Sequence, residues 1–223
     1  MDDSIVNSFA KMAINFNGVA RFYNFSEKFF FGNLLDRSRN RFLNYCTKIN
    51  SILILGEGCG QFLIELLRVN EFCEVSIIES SSEMICIQKC LLLEKDIDRV
   101  SFHCIPIDEL IVSKSFDLIC THFFWDCFSY REISTFLPYY TKLLKKDGIW
   151  LNSDFVDSDN RLLHADFLKI RLMYWFFRIT TGIRARKVEP FYHHAIKNSL
   201  QLIDHDEIRS GFIKSEVFKK SLN

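Results

Sequence analysis

The sequence predicts an α/β fold: a Rossmann-like, doubly wound and mostly parallel seven-stranded sheet with an antiparallel C-terminal hairpin and a helical cap. Three observations favour it. Short apolar runs alternate with amphipathic runs between residues 51 and 155, which is typical of β-α-β units. The first apolar run ends in closely spaced glycines. The segment 212–218 alternates with a period of two, as a strand does.

Each predicted strand is a short apolar run bounded by polar residues or glycine. The five core strands are expected at 51–55, 73–78, 100–105, 116–121 and 149–155. Apolar residues at helical spacing predict helices over 61–69, over 81–95 with a serine N-cap, and over 131–145 with Gly148 as C-cap. A long aromatic helix is expected over 160–179, and a hairpin over 200–209 and 212–220.

We expect a single domain built around one sheet. Its four parts are an N-terminal helical lid at 1–48, a cofactor-binding core at 49–155, an aromatic cap helix and loop at 156–199, and the C-terminal hairpin at 200–223.

Composition excludes several classes of protein. Lys+Arg and Asp+Glu both number 28, and this zero net charge gives no support for a nucleic-acid partner. No uncharged apolar stretch reaches 18 residues and no secretory signal is visible, so we expect a cytoplasmic protein without a membrane span. The eight cysteines form no CxxC pair, which predicts reduced thiols and no metal site.

The stretch ILILGEGCGQFL turns a buried strand into a loop with glycine at 56, 58 and 60. Such a loop lets a ligand approach the backbone and points the next helix N-terminus at it. The dinucleotide pattern G-x-G-x-x-G wants glycine at position 61, where Gln61 stands, and the lysine of a P-loop is absent. A tight structural turn remains an alternative interpretation of the loop alone.

Further motifs follow in a fixed order. Glu79 ends the second strand and begins ESSSEMI, Asp108 follows the third strand, and SFDL opens the fourth. Together with the glycine loop, these motifs resemble the class I S-adenosylmethionine-dependent methyltransferase family. The resemblance covers residues 50–155 and, more loosely, the whole chain.

The resemblance implies S-adenosylmethionine as cofactor and S-adenosylhomocysteine as product. It implies that Glu79 holds the ribose hydroxyls and that Asp108 accepts from the adenine amino group. The full set of implied cofactor contacts is Gly56, Glu57, Gly58, Gly60, Glu79, Ser80, Met84, Ile107, Asp108, Thr121 and His122. One departure stands out: Ile54 replaces the family's acidic residue two positions before the first glycine, and Glu57 is the candidate substitute.

The acceptor side is expected after the fourth strand and in the aromatic cap helix. The Pro-Pro-aromatic motif of DNA amino-methyltransferases is absent there, which favours a small, partly apolar or lipid-like acceptor. His122 and Tyr23 are the candidate catalytic residues. The candidate acceptor pocket consists of Trp125, Asp126, Trp175, Phe176 and His193. The aromatic helix has two alternative roles, packing on the sheet or forming a homodimer interface.

The sequence therefore predicts methyl transfer to oxygen, nitrogen or carbon of a small acceptor, by in-line displacement. Two alternatives stay open at this point. One is a non-catalytic S-adenosylmethionine-binding module, which the Ile54 departure motivates. The other is an NAD(P)-dependent oxidoreductase on a similar sheet.

Overall fold

The fold is that of a single seven-stranded sheet with helices on both faces. The computed structural model describes residues 31–110, 114–156, 190–208 and 211–221. The strands are β1 (Ser51–Leu55), β2 (Glu74–Ile78), β3 (Val100–His103), β4 (Phe116–His122), β5 (Leu144–Phe155), β6 (Leu200–Ile208) and β7 (Ile213–Lys220). The α-helices of the described part are α1 (Leu34–Arg39), α2 (Gln61–Val69), α3 (Ser82–Leu91), α4 (Tyr130–Leu143) and α5 (Phe191–Lys197).

The strand order is β3-β2-β1-β4-β5-β7-β6. Strands β1 to β5 pair in parallel, whereas β7 pairs antiparallel to both β5 and β6. The order reverses between β1 and β4, and ligands of open α/β sheets bind outside the carboxyl ends of the strands at such a switch point. The predicted fold class, including the antiparallel C-terminal hairpin, is confirmed.

Alternate side chains of the central strands enter two cores, one on each face of the sheet. Ile52 and Ile54 pack under α2, while Leu53 and Leu55 pack under α4 and α5. The central strands are buried on both faces, which is why they read as continuous apolar runs rather than alternating ones. Ile54 is 1% exposed, so this position faces the core and not the loop.

The prediction that Gly148 caps a helix ending near residue 145 is wrong. Helix α4 ends at Leu143, and Leu144 already pairs with Phe116 as the first residue of β5. The chain turns inside β5 instead, where Asp147 has a φ of 59° and the pairing register shifts. The helix therefore passes directly into the strand, and no glycine cap is needed.

Hydrogen bonds of serine hydroxyl groups connect α1 to strands β5 and β7. Ser38 Oγ lies 2.8 Å from Ser215 Oγ of β7, and Ser153 Oγ of β5 donates to the Ser38 carbonyl oxygen at 3.1 Å. All three serines are buried. These bonds hold α1 against β5 and β7, and they place the next residue, Arg39, beside the glycine loop.

Several predictions lie outside the described residues, among them Tyr23, the aromatic helix at 160–179 with Trp175 and Phe176, and most of the lid. All eight cysteines are described, and each carries a free thiol. Within the described residues, no helix is long and apolar enough to cross a membrane. The same residues contain no group of three His, Cys, Asp or Glu side chains that could hold a metal ion.

Candidate active site

The glycine loop between β1 and α2 uses the left-handed region at every second residue. Gly56, Gly58 and Gly60 have φ values of 67°, 70° and 90°. A β-carbon on Gly56 would overlap the ring of Phe124, whereas one on Gly58 would meet nothing within 4 Å. The chain therefore needs glycine at both positions for its backbone angles, and at Gly58 it leaves space beside the backbone.

Glu57 turns back and caps helix α2. Its Oε1 accepts from the Leu63 backbone N–H at 2.8 Å, while the N-cap residue Gly60 has no side chain to do so. Burial raises the pKa of Glu57 to about 7, although the Leu63 N–H and the charge of Arg39 act in the opposite direction. The carboxyl group therefore orders the loop, which is one task of the acid that Ile54 replaces.

Glu79 lies at the carboxyl end of β2 and faces the same loop. Its Oε2 accepts from the Gly58 N–H at 3.2 Å and its Oε1 from the Ser81 N–H at 2.9 Å. Burial raises the pKa of Glu79, while these N–H groups lower it. Ser80 also acts on this carboxylate through its backbone and its side chain, so Glu79 joins the glycine loop to the turn after β2.

The loop after β3 begins beside Glu79, whose backbone N–H donates to the His103 carbonyl oxygen at 3.1 Å. Asp108 is exposed in a short 3₁₀-helix, Ile107–Glu109, and the Ile107 carbonyl accepts from the Tyr140 hydroxyl at 2.7 Å. Ser80 is half-buried, and Met84 is buried against Cys59 under the glycine loop. The residues predicted from the motifs thus lie together at the carboxyl ends of β1, β2 and β3.

At the end of β4, Thr121 and His122 are both buried. The Thr121 hydroxyl accepts from Trp150 Nε1 at 2.9 Å and donates to Asn152 Oδ1 at 3.0 Å. These two hydrogen bonds join β4 to β5. The His122 ring packs edge-on against Phe62, with ring centroids 4.4 Å apart, and its Nδ1 has no hydrogen-bond partner. Burial, assisted by the charge of Arg39, lowers the pKa of His122 to about 3, which makes this ring a weak base.

Sequence reasoning missed Arg39, a cation at the glycine loop. Its side chain is 7% exposed, lies over the Phe123 ring at 5.1 Å, and pairs with Asp36 at 3.1 Å. Its charge acts on both Glu57 and His122. No motif marks this residue; a basic residue at the end of a helix before the first strand was the one available signal.

Beyond β4, aromatic rings cover the face of the sheet that carries α4 and α5. Trp125 is fully buried and stacks on Phe191 at 5.8 Å, and it also contacts Phe124, Phe128 and Trp150. His193 is exposed on α5, whose Phe191 makes the contact with Trp125.

Asp126, the residue that follows Trp125, is buried and lies next to a second acidic residue, Asp154. Its backbone N–H donates to Asp154 Oδ2 at 3.2 Å. Burial, then the charge of Asp126, raises the pKa of Asp154 well above its usual range.

The comparisons with known proteins identify the family. A family model described as a methyltransferase domain matches residues 52–148, from β1 into β5. Residues 52–148 thus match a methyltransferase domain, in agreement with the motifs that resemble class I S-adenosylmethionine-dependent methyltransferases. A search of curated proteins found no significant match to the sequence. The strand order and the loop geometry of this methyltransferase agree with its family assignment.

Solved structures support the same fold at low identity. The N-methyltransferase NodS from Bradyrhizobium japonicum WM9, in complex with S-adenosylhomocysteine, is 13% identical, with a TM-score of 0.57 over 84% of this chain and 88% of that one. An O-methyltransferase family 2 protein from Planctomyces limnophilus in complex with apigenin is 16% identical, with a TM-score of 0.66 over 91% and 62%. An O-methyltransferase family protein from Burkholderia thailandensis is 15% identical, with a TM-score of 0.66 over 98% and 67%.

This methyltransferase therefore uses S-adenosylmethionine as its cofactor, as the sequence motifs implied. The match to a methyltransferase domain decides against the NAD(P)-dependent oxidoreductase. The methyltransferase spans about two thirds of the length of the two O-methyltransferase structures.

Proposed function

We propose that this methyltransferase acts on a small, partly apolar acceptor that binds beyond the carboxyl ends of β4 and β5. The observation that carries the proposal is the aromatic cluster around Trp125, which lies directly after the strand that ends beside the cofactor loop. Phe124 belongs to this cluster and packs on Gly56 of the loop. An apolar acceptor on these rings would therefore lie next to the cofactor.

The cofactor-binding residues fit the groups of S-adenosylmethionine. In this proposal Glu79 accepts from the ribose hydroxyls and Asp108 from the adenine amino group, with the Ile107 amide opposite the ring. The open space at Gly58 admits the ligand to the backbone. When bound, S-adenosylmethionine supplies a methyl group on a positively charged sulfur, which is already a strong methyl donor.

We further propose that Arg39 holds the carboxylate of the methionine part. Its burial beside the loop reduces solvent screening, and a guanidinium binds a carboxylate through two parallel hydrogen bonds. The serine contacts of α1 keep it in place. Arg39 thus adds a contact that the sequence motifs did not supply.

The protein's contribution to catalysis is alignment and exclusion of water. Holding two reactants in line contributes roughly 7–11 kcal/mol to lowering the barrier. The low pKa of His122 argues for a positioning role beside the methionine part rather than for general-base catalysis. Tyr23 remains a candidate for closing the site.

Replacement of Arg39 tests its proposed role without an acceptor. Arg39→Gln should weaken binding of S-adenosylhomocysteine about 10- to 100-fold, because a charged hydrogen-bond pair is lost. Methylthioadenosine lacks the carboxylate, so its affinity should not change. The exposed Arg41, which pairs with Asp206, provides the control variant Arg41→Gln. Equal losses for both ligands would contradict the carboxylate contact.

The proposed function is tested with methyl-labelled S-adenosylmethionine and a fractionated metabolite extract. We expect the label in small, solvent-extractable products of one chemical class, each heavier than its precursor by one methylene unit. Label found in nucleic acid or protein alone would contradict a small-molecule acceptor.

A further inference from the structure

Two buried carboxyl groups are diagonal neighbours on the adjacent strands β5 and β7. Asp154 of β5 is 6% exposed and Glu216 of β7 is 3% exposed. Asn152 pairs directly with Glu216, and Asp154 follows two residues later on the same face of β5. The charge of Glu216 contributes to the raised pKa of Asp154, so the two carboxyl groups are close enough to interact.

The hydrogen bonding around these groups is incomplete. Glu216 Oε2 accepts from Asn152 Nδ2 at 3.4 Å, but Glu216 Oε1 is buried without any hydrogen-bond partner. Trp125 Nε1, on the adjoining aromatic cluster, is likewise buried without a partner. Buried polar atoms in native proteins are nearly always hydrogen-bonded, and an unpaired carboxyl oxygen beside a second carboxyl group indicates a missing cationic donor.

The described residues supply no cation to this pair. Lys214 has a charge that reaches Glu216, but its Nζ pairs with Glu207 at 3.3 Å. Among the described ion pairs, none involves Asp154 or Glu216. The missing donor is therefore sought in a ligand.

The carboxyl pair lies near the end of the sheet at which the proposed cofactor site lies. The buried thiol of Cys127 has a pKa raised well above its usual range by burial, then by Asp126, Asp154 and, more weakly, Glu79. Asp154 Oδ2 accepts from the Asp126 N–H at 3.2 Å, which joins this end of β5 to the segment that follows β4. The strand end that carries Asp154 is also joined to β4, where Phe123 N–H donates to the Ser153 carbonyl at 2.7 Å.

We propose that the acceptor is an amine whose cationic nitrogen binds between Asp154 and Glu216. This inference rests on the proposed function, and it narrows the acceptor from any small partly apolar molecule to an amine with an apolar body. The nitrogen takes the place of the missing donor to Glu216 Oε1, and the apolar body packs on Phe124, the partly exposed ring of the cluster around Trp125. Oxygen and carbon acceptors carry no positive charge and would leave the two carboxyl groups without a cation.

The carboxyl pair also provides an acceptor for the proton that the amine must lose before methyl transfer. An ammonium group must lose one proton to expose its lone pair, and a carboxylate with a raised pKa is a better acceptor for that proton than an ordinary one. The nitrogen then forms the new bond to the methyl carbon while the carbon–sulfur bond breaks and its electron pair stays on sulfur. The positive charge moves from sulfur to the methylated nitrogen, which the second carboxylate stabilises.

Glu216→Gln is the sharpest variant for a test. Its amide oxygen can still accept from Asn152, so the hydrogen bond of the sheet is kept while the charge is removed. Glu71→Gln, in the loop before β2, is the matched control, since Glu71 is exposed and pairs with Lys95. The probes are phenethylamine and its hydroxyl analogue, 2-phenylethanol, titrated into the protein saturated with S-adenosylhomocysteine.

We expect the wild type to bind phenethylamine at least 10-fold more tightly than 2-phenylethanol. Glu216→Gln should lower this preference at least 10-fold, while Glu71→Gln should not change it, and both variants should keep the wild-type affinity for S-adenosylhomocysteine. Equal affinity for the two probes in the wild type would overturn the amine proposal while leaving the methyltransferase assignment intact. A parallel loss of S-adenosylhomocysteine affinity in Glu216→Gln would also overturn it, because the pair would then serve the cofactor.

Discussion

Glu79→Ala is expected to weaken binding of S-adenosylhomocysteine roughly 30- to 900-fold, which corresponds to about 2–4 kcal/mol. The physical reason is the loss of charged hydrogen bonds to the ribose hydroxyls. The variant also leaves the Gly58 and Ser81 N–H groups without their acceptor, so the free energy of unfolding should fall by about 1–3 kcal/mol. Calorimetric titration and denaturant unfolding of the same sample separate the two effects.

Two further variants sharpen the result for Glu79. Glu79→Gln keeps one acceptor oxygen and should fall between wild type and Glu79→Ala in affinity. Glu74→Ala, at the opposite end of β2, removes an exposed carboxylate paired with Lys114 and should leave affinity unchanged. Wild-type affinity in folded Glu79→Ala would show that the ribose is held elsewhere.

Glu216→Gln is expected to change the pH dependence of stability. Burial raises the pKa of Glu216 to about 7 from 4.5, although Lys214 and Asn152 lower it, while Glu207 adds to the increase. The folded state therefore binds this proton more tightly than the unfolded state, and its contribution to stability is lost as the pH rises from about 4.5 to about 7. Such a shift is equivalent to about 2–3 kcal/mol between pH 5 and pH 8.

The variant lacks the ionisable group of Glu216, so its stability should not fall for this reason as the pH rises. Relative to wild type, Glu216→Gln should gain about 2–3 kcal/mol in free energy of unfolding on going from pH 5 to pH 8. Asp154 is present in both proteins, and its interaction with the charge of Glu216 is removed in the variant. Urea unfolding at the two pH values measures the difference. If the free energies of unfolding of wild type and Glu216→Gln differ by the same amount at both pH values, the raised pKa of Glu216 is contradicted.

The predictable part of this molecule is local in sequence. The strand, loop and helix from Ser51 to Val69 follow from an apolar run, three glycines and helical spacing, and the structure reproduces them within a residue. The C-terminal hairpin was equally visible from its alternation. The Gly148 cap failed because Leu144 already pairs with β4, a contact that helix-ending signals alone do not show.

The rest of the site depends on contacts between distant parts of the chain. Arg39 reaches the loop because Ser38 binds Ser153 and Ser215, which are more than a hundred residues away in sequence. Asp154 and Glu216 come together through the register of β5 and β7. Charged residues inside the apolar runs of predicted strands were the available signal for this pair, but their partners are set by register, which the sequence does not state.

Titration of the wild-type protein with S-adenosylhomocysteine tests the central claim most directly, namely that the carboxyl ends of β1, β2 and β3 form a cofactor site. The account predicts single-site binding, with a stabilisation of about 2.7 kcal/mol at a hundredfold excess over the dissociation constant and a raised melting temperature. NADH at the same concentration should have no effect. An absence of heat and an unchanged melting temperature at millimolar S-adenosylhomocysteine would contradict the account.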